Sequence, residues 1–488
     1  MALVAGALPA LVFPEPGLWW LAWVVLTPLL ALTARAPSAR EAGVLGWAWG
    51  TGFVLAAHFW LLPSVLVFLP LVAAVVGLLW LPFGRAARAL LRPPLDAGRC
   101  ARALVVLPAV WLLAELVRSW DRLGGPWALL GASQWQVAPV RALAAVGGVW
   151  LVSVLVVLVN VAVTVAIRRD ATRAARRTAV LATLAVPLVS LVWASRPGPP
   201  VSGTVDVAVV QPGVVEGAAA RFAAAEALTR GLAGRQLDLV VWGESAVGFD
   251  LDRRTDLRDR LSDLSRFVAA DLLVNVDARR PGATGIYKSS VLIGPDGVLG
   301  RYDKQRLVPF GEYVPLRPVL GWTARFTEVA AEDRRRGAGL VVLDADGLRV
   351  GPLVCFESAF PDLSRRLAAA GADLLVFQTA TTTFQDSWAP EQHASIAALR
   401  AAESGRPVVH ATLSGVSAVY DATGRRLGPA LGTEQTGTLV VNVPLVAGTT
   451  PYVAVGHLGA PMFVGLVLAT LGVVWTARRA AEQDDAHA

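Results

Sequence analysis

Eight long apolar runs dominate the sequence, at roughly residues 2–14, 17–33, 43–62, 64–83, 103–119, 142–167, 178–194 and 455–476. Most approach the roughly 20 residues a helix needs to cross the hydrocarbon core of a bilayer, although the first is short. A chain of 488 residues that is 55% hydrophobic, with a mean hydropathy of +0.54 and 17 Trp, must place much of that surface in lipid. The expected architecture is therefore a polytopic α-helical membrane module of about eight spans. The first run has no basic segment before it and further apolar runs follow at once, so it reads as a retained helix rather than a signal peptide.

Arginine orients the module, because translocation disfavours short loops rich in Lys and Arg. Such loops follow the second run (Arg35, Arg40), the fourth (Arg85, Arg88, Arg92, Arg99, Arg102), the sixth (Arg168, Arg169, Arg173, Arg176, Arg177) and the last (Arg478, Arg479). Eight spans put all four on one side, the cytoplasm, with both termini inside and the long segment between the last two runs outside. The same placement accounts for a pI near 10 without nucleic acid as a partner. Of two cysteines, Cys100 falls in a cytoplasmic loop and Cys355 in the external segment, so they cannot pair.

Residues 1–195 thus hold seven helices, and the Pro- and Gly-rich stretch at 196–204 is a linker. Residues 205–450 are an extracytoplasmic domain, 451–478 the final span and 479–488 a cytoplasmic tail. Within the domain, β-branched runs at 205–210, 237–242, 272–276, 290–293, 339–343, 349–354, 374–377 and 408–412 read as strands. Helical spacing at 218–232, 257–270 and 391–403 lies between several of them. Strands alternating with helices imply a buried sheet covered by helices.

Three strand ends carry reactive side chains. Leu239-Val240-Val241-Trp242-Gly243 runs into Glu244, a position that also suits a cap or an ion-pair partner. Lys304 and Lys288 are the two lysines among 44 basic residues. Lysine kept in so arginine-rich a chain points to a compact ammonium aimed at one oxyanion, and the motif around Lys304 makes it the stronger candidate. Val350-Gly351-Pro352-Leu353-Val354 leads into Cys355, which is either a small buried hydrophobe or a nucleophile on a strand-end turn. Together the three form an acyl-transfer apparatus, in which Glu244 takes the thiol proton, Cys355 attacks a carbonyl and Lys304 supports the oxyanion.

The order Glu, Lys, Cys, within Val-Trp-Gly-Glu-Ser, Tyr-Asp-Lys-Gln-Arg-Leu-Val-Pro-Phe-Gly-Glu-Tyr-Val-Pro and Cys-Phe-Glu-Ser, resembles the nitrilase superfamily and in particular its membrane branch, the apolipoprotein N-acyltransferases. Trp111 to Arg118, Gly125-Pro126-Trp127 and Gly131-Ala132-Ser133-Gln134 extend the resemblance into the membrane half. It implies a four-layer αββα sandwich, with Glu244 as general base, Lys304 as oxyanion support and Cys355 as nucleophile. Glu312 and Glu357 match supporting acids. The implied reaction moves an acyl chain from a phospholipid to Cys355 as a thioester, then to the α-amino group of a diacylglyceryl-cysteine on an apolipoprotein. No cofactor or metal is expected. His393 is expected to be structural, since the catalytic roles are filled.

The chain departs from the family at Gly243 (usually Pro), Lys288 (usually Asn), Phe356 (often Tyr) and the loop 377–385. Two other readings share these residues. A membrane-tethered amidase or nitrilase would release free acid or ammonia, and a non-catalytic lipoprotein-binding paralogue would do neither.

Overall fold

The computed structural model describes all residues except 63–67, 280–284, 316, 323–332, 457–458 and 468–488. Four helices are long and apolar enough to cross a bilayer: Phe68–Leu91, Ala97–Arg118, Ala144–Ala166 and Arg173–Ala194. The expected count of eight is not reproduced among the described residues. The first two runs break into shorter pieces, Ala2–Gly6, Leu8–Val12, Trp19–Trp23 and Thr27–Arg35. Proline explains the breaks: Pro9, Pro14, Pro16 and Pro28 each lack the N–H that an uninterrupted helix requires. Most of the expected last span lies outside the described residues.

The third run forms Ala39–Ala57, a helix held by close backbone approach. A Cβ on its Gly46 would sit 2.3 Å from the Trp80 carbonyl oxygen, so this crossing requires glycine. The arginine loops meet at one end of the module. Arg88 donates to the Ala36 and Pro37 carbonyls at 2.8 Å each, Arg168 to the Leu91 carbonyl at 2.5 Å, and Thr172 N to the Leu95 carbonyl at 3.0 Å.

The second half of the chain contains two six-stranded sheets. The strands are β1 (Val201–Gln211), β2 (Leu239–Trp242), β3 (Asp271–Arg279), β4 (Ile286–Gly294), β5 (Gly297–Asp303) and β6 (Leu343–Ala345). They continue as β7 (Leu348–Val354), β8 (Leu374–Thr379), β9 (Val408–Thr412), β10 (Ser417–Tyr420), β11 (Arg426–Leu431) and β12 (Gly437–Val446). The first sheet runs β12-β1-β2-β3-β4-β5 and the second β11-β10-β9-β8-β7-β6. In each, the middle trio is parallel (β1, β2, β3 and β7, β8, β9) and the flanking strands are antiparallel. Strand β1 begins at Val201, inside the stretch read as linker, because Val201 already pairs with Val446 of β12.

Strand periodicity builds the layers, since alternate residues face opposite sides. Val207, Val209, Val241, Val350, Val376 and Val409 meet between the sheets. Ala208, Val210, Val240 and Trp242 face the helices Ala218–Arg230 and Thr255–Val268. On the far side, Leu353, Leu375 and Val408 face the helices Pro361–Ala369 and Ala389–Ser404. With both faces of each sheet covered, the central strands read as nearly continuous apolar runs. The result is a four-layer αββα sandwich whose last helical layer shares one core with the membrane module.

Candidate active site

Lys304 and Cys355 each follow the last residue of a strand, β5 and β7, Glu244 lies two residues past the end of β2, and the sheets bring these ends together. Glu244 N donates to the Thr379 carbonyl at 3.0 Å, and the same oxygen accepts from Leu413 N at 2.9 Å. This bond joins the end of β2 to the ends of β8 and β9. The approach explains Gly243, where a Cβ would lie 1.9 Å from Leu413 N. Cys355 adopts φ +52°, and Ser245 beside Glu244 adopts φ +57°. Both are left-handed conformations that side chains rarely take, and the one at Cys355 makes the turn that ends β7.

Charges alternate across the site. Lys304 Nζ lies 2.8 Å from Glu312 Oε1 and 3.9 Å from Glu244 Oε1, and its side chain is fully buried. Lys288 Nζ lies 2.9 Å from Glu244 Oε1, 2.9 Å from Ser245 Oγ and 3.3 Å from Asp277 Oδ2. Arg334 reaches Asp277 Oδ2 at 3.3 Å. The Cys355 thiol lies close enough to Glu244 for each to act on the other's protonation.

These neighbours set protonation. Burial would raise the Glu244 carboxyl, but Lys288 and Lys304 outweigh it and hold it below the usual glutamate value. Burial and then the Glu244 charge push the Cys355 thiol up to about 12, against the pull of Lys304. Lys304 is kept charged despite burial by Glu312 first and then by Glu244. The resting site is thus a neutral thiol beside an ionised carboxylate and two ammonium groups.

The supporting acids act on backbone as well as on charge. Glu312 Oε2 accepts from Val308 N at 2.9 Å, so it closes its own loop while Oε1 anchors Lys304. Glu357 is fully buried, and its Oε1 accepts from Tyr302 OH (2.8 Å), Gln305 N (2.7 Å) and Arg306 N (3.0 Å). Its Oε2 accepts from Val354 N at 3.0 Å, so one side chain ties the lysine loop to the cysteine turn. Burial nevertheless raises its carboxyl above the ordinary value. His393 Nε2 faces Ser358 Oγ at 2.7 Å and the Cys355 carbonyl at 3.3 Å, holding the backbone of the turn. Burial pulls its ring down to about 4, so it is neutral near pH 7.

The sequence reading underrated Lys288. The scarcity of lysine that singled out Lys304 applied equally to it, but Glu244 and Asp277 are 44 and 11 residues away in sequence, and only the β3–β4 pairing, which sets Asp277 opposite Lys288, joins the group. The membrane module closes over the site. Trp127 Nε1 donates to Gln392 Oε1 at 2.8 Å, and the Trp127 ring lies 5.4 Å from the His393 ring. In the divergent loop, Phe384 packs 4.9 Å from Trp60, while Gln378 Nε2 bonds the Trp242 and Leu273 carbonyls at 2.8 and 3.0 Å. The departure from the family therefore falls on the seam with the helices and on the seam between the sheets.

Among the described residues, no cluster of His, Cys, Asp and Glu is arranged to hold a metal ion.

Comparison with known proteins matches residues 5–162 to the apolipoprotein N-acyltransferase N-terminal domain and residues 206–450 to the carbon-nitrogen hydrolase domain. The chain is 32% identical to the apolipoprotein N-acyltransferase of Geobacter metallireducens, over 88% of this chain and 86% of that one. It is 32% identical to the enzyme of the same name from Azotobacter vinelandii, over 98% and 95% of the two. Among solved structures, a CN-hydrolase superfamily protein of Xanthomonas campestris matches 50% of this chain and 91% of its own, at 19% identity and a TM-score of 0.38. On the strength of the two domain matches and of relatives that cover nearly its whole length, the chain belongs to the apolipoprotein N-acyltransferase family of bacterial membrane proteins.

Proposed function

We propose that this protein acylates the amino terminus of lipoproteins, using a membrane phospholipid as donor. The observation that carries the reading is the convergence of Cys355, Glu244 and Lys304 at neighbouring strand ends of a domain against which the apolar helical module packs. Both proposed substrates keep acyl chains in the bilayer, so a site on this seam receives them without either leaving the membrane.

In the first half-reaction the Cys355 proton passes to Glu244 as sulfur attacks the ester carbonyl, and Lys304 stabilises the developing oxyanion. The C–O bond breaks, and the lysophospholipid alkoxide leaves with the proton held by Glu244. In the second, the lipoprotein α-amine attacks the thioester carbonyl, Glu244 takes the amine proton, the C–S bond breaks and the proton returns to sulfur. Glu312 and Glu357 keep Lys304 and the cysteine turn in register.

Topology supports the reading. Helix Ala97–Arg118 begins beside the arginine loops and ends near Trp127, about 33 Å away at 1.5 Å per residue. With those loops cytoplasmic, the domain at the other end of this helix faces the extracytoplasmic side, where translocated lipoproteins are. Alkaline phosphatase fused near Gly198 should be active and near Leu95 silent; the reverse pattern overturns the orientation. For the chemistry, incubation with acyl-labelled phospholipid should leave label on the protein that neutral hydroxylamine removes. Persistence of that label in Cys355→Ala would refute the thioester.

A further inference from the structure

Two buried lysines flank one carboxylate, and their remaining contacts differ. An ammonium has three N–H donors. Lys288 has three acceptors in reach, Glu244 Oε1 and Ser245 Oγ at 2.9 Å and Asp277 Oδ2 at 3.3 Å. Lys304 makes one short bond, to Glu312 at 2.8 Å, and stands 3.9 Å from Glu244, beyond hydrogen-bond range.

We propose that Lys288 is a positioning residue for the acyl transfer: it clamps the base Glu244 through Oε1, anchored in turn by Asp277 and Ser245, and so leaves Lys304 with donors free for the reacting carbonyl. The clamp is fixed at both ends. Asp277 is opposite Lys288 in the β3–β4 ladder and is also bonded by Arg334. Ser245, strained at φ +57°, is held by a bond from its N–H to Asn275 Oδ1 at 2.9 Å. A Lys288 fully engaged in this way has no donor to turn toward a substrate, so its role is exerted through Glu244.

This inference rests on Glu244 being the base. Glu244 is faced by Lys288 on β4, Lys304 after β5, Cys355 after β7, Glu312 in the lysine loop and His393 on helix Ala389–Ser404. Asp277 on β3 and Arg334 act on it through Lys288, and Glu357 through Lys304. Lys288 is the nearest cation, so its removal lets burial raise the carboxyl, and an opposite charge at this range is worth about one to three pH units.

The test uses full-length protein in detergent and reads alkylation of Cys355 by iodoacetamide, resolved from Cys100 by peptide mass spectrometry, across pH. Because it needs no lipid, it isolates the base–thiol pair. Lys288→Met should move the acid limb of alkylation up by about one pH unit or more, with the rate recovering above it. Lys288→Arg should keep the limb near its wild-type position. A Lys288→Met profile that drops uniformly with an unmoved limb would mean a merely structural lysine and would overturn the proposal. If Lys288→Met does not insert, Lys288→Asn, a smaller neutral replacement, serves with the same expected shift. Glu244→Gln separates the two ideas. Loss of the limb in Glu244→Gln with an unmoved limb in Lys288→Met sinks the clamp alone; a wild-type limb in Glu244→Gln sinks the base assignment and the clamp with it.

Discussion

The helical module and the sandwich both bury charge, but they use it differently. In the module, Glu115 accepts from Leu130 N at 2.7 Å and Trp111 Nε1 at 3.1 Å, and Arg118 donates to the carbonyls of Trp127 and Ala128 at 2.5 and 2.7 Å. These charges satisfy backbone that leaves helical geometry inside an apolar setting, where an unpaired polar group is costly. In the sandwich, Glu312, Lys304, Glu244, Lys288, Asp277 and Arg334 mainly satisfy one another, in alternating sign. Charge that holds backbone in place is structural; charge held by other charge, with a thiol at its side, is poised to respond when a reacting carbonyl arrives.

The largest effect that would break this comparison is at Lys304. Lys304→Arg keeps the charge but replaces a point donor with a longer planar group in a fully buried space. Acyl transfer by the purified variant should fall about 100- to 1000-fold with insertion and Tm nearly unchanged. Glu115→Gln should do the opposite, lowering Tm while Cys355 still accepts label. A Lys304→Arg protein at near wild-type rate would erase the distinction between the two kinds of buried charge.

Acid should destabilise the sandwich. His393 has its ring pulled to about 4, against about 6.5 in the unfolded chain, so between these values the unfolded state binds a proton that the folded state refuses. Stability from this group is therefore full above about pH 6.5 and declines as pH falls toward 4, by on the order of 3 kcal/mol. The depressed carboxyl of Glu244 acts in the same direction, its contribution being lost as pH falls through its folded value. Thermal unfolding followed from pH 7 to pH 4 should show the loss, and His393→Gln should lessen it, the neighbouring buried His410 supplying a further part in the same direction. An unchanged slope in that variant would place the acid sensitivity elsewhere.

Glycine contrasts the regions at smaller scale. Gly46→Ala presses a methyl onto the Trp80 carbonyl and Gly243→Ala presses one onto Leu413 N, each costing about 1–3 kcal/mol by overpacking. The functional outcomes should separate. Gly46→Ala should lower Tm and leave Cys355 labelling intact, whereas Gly243→Ala should also shift the next residue, Glu244, and slow labelling.

What the sequence made legible follows from how far each signal reaches. Strand ends at Glu244 and Cys355 are local, since a buried parallel strand is a short apolar run followed by polar residues, and both were readable. The αββα class followed from the motif resemblance, and the alternation of Val207 and Val209 with Ala208 and Val210 explains it in retrospect. Strands β5, β10, β11 and β12 were not read: β11 (Arg426–Leu431) is half-exposed and carries Gly and Pro with little apolar pattern, β5 is mostly unburied, and β10 is only four residues long. The span count is not confirmed where hydropathy is high but proline interrupts the helix, as at Pro9 and Pro28. The Lys288 clamp depends on strand pairing, which no spacing rule supplies.

The smallest prediction bears on the seam itself. Trp127 belongs to the module, its indole N–H bonds Gln392 of the sandwich at 2.8 Å, and its ring stacks edge-on with His393, which holds the cysteine turn. Trp127→Phe keeps an aromatic ring in the space and deletes the donor, leaving Gln392 Oε1 unpaired in a buried site. The loss should be about 1–3 kcal/mol of stability, since an unsatisfied buried acceptor costs more than the bond itself gained. If the module only tethers the sandwich, the rate of Cys355 acylation should be unaffected once the protein is folded. If it helps hold the turn, acylation should slow a few-fold while the pH of its acid limb stays fixed, because Glu244 and its lysines are untouched. A moved limb would show that the helices reach the charge network directly, and the separation drawn between the two regions would have to be abandoned.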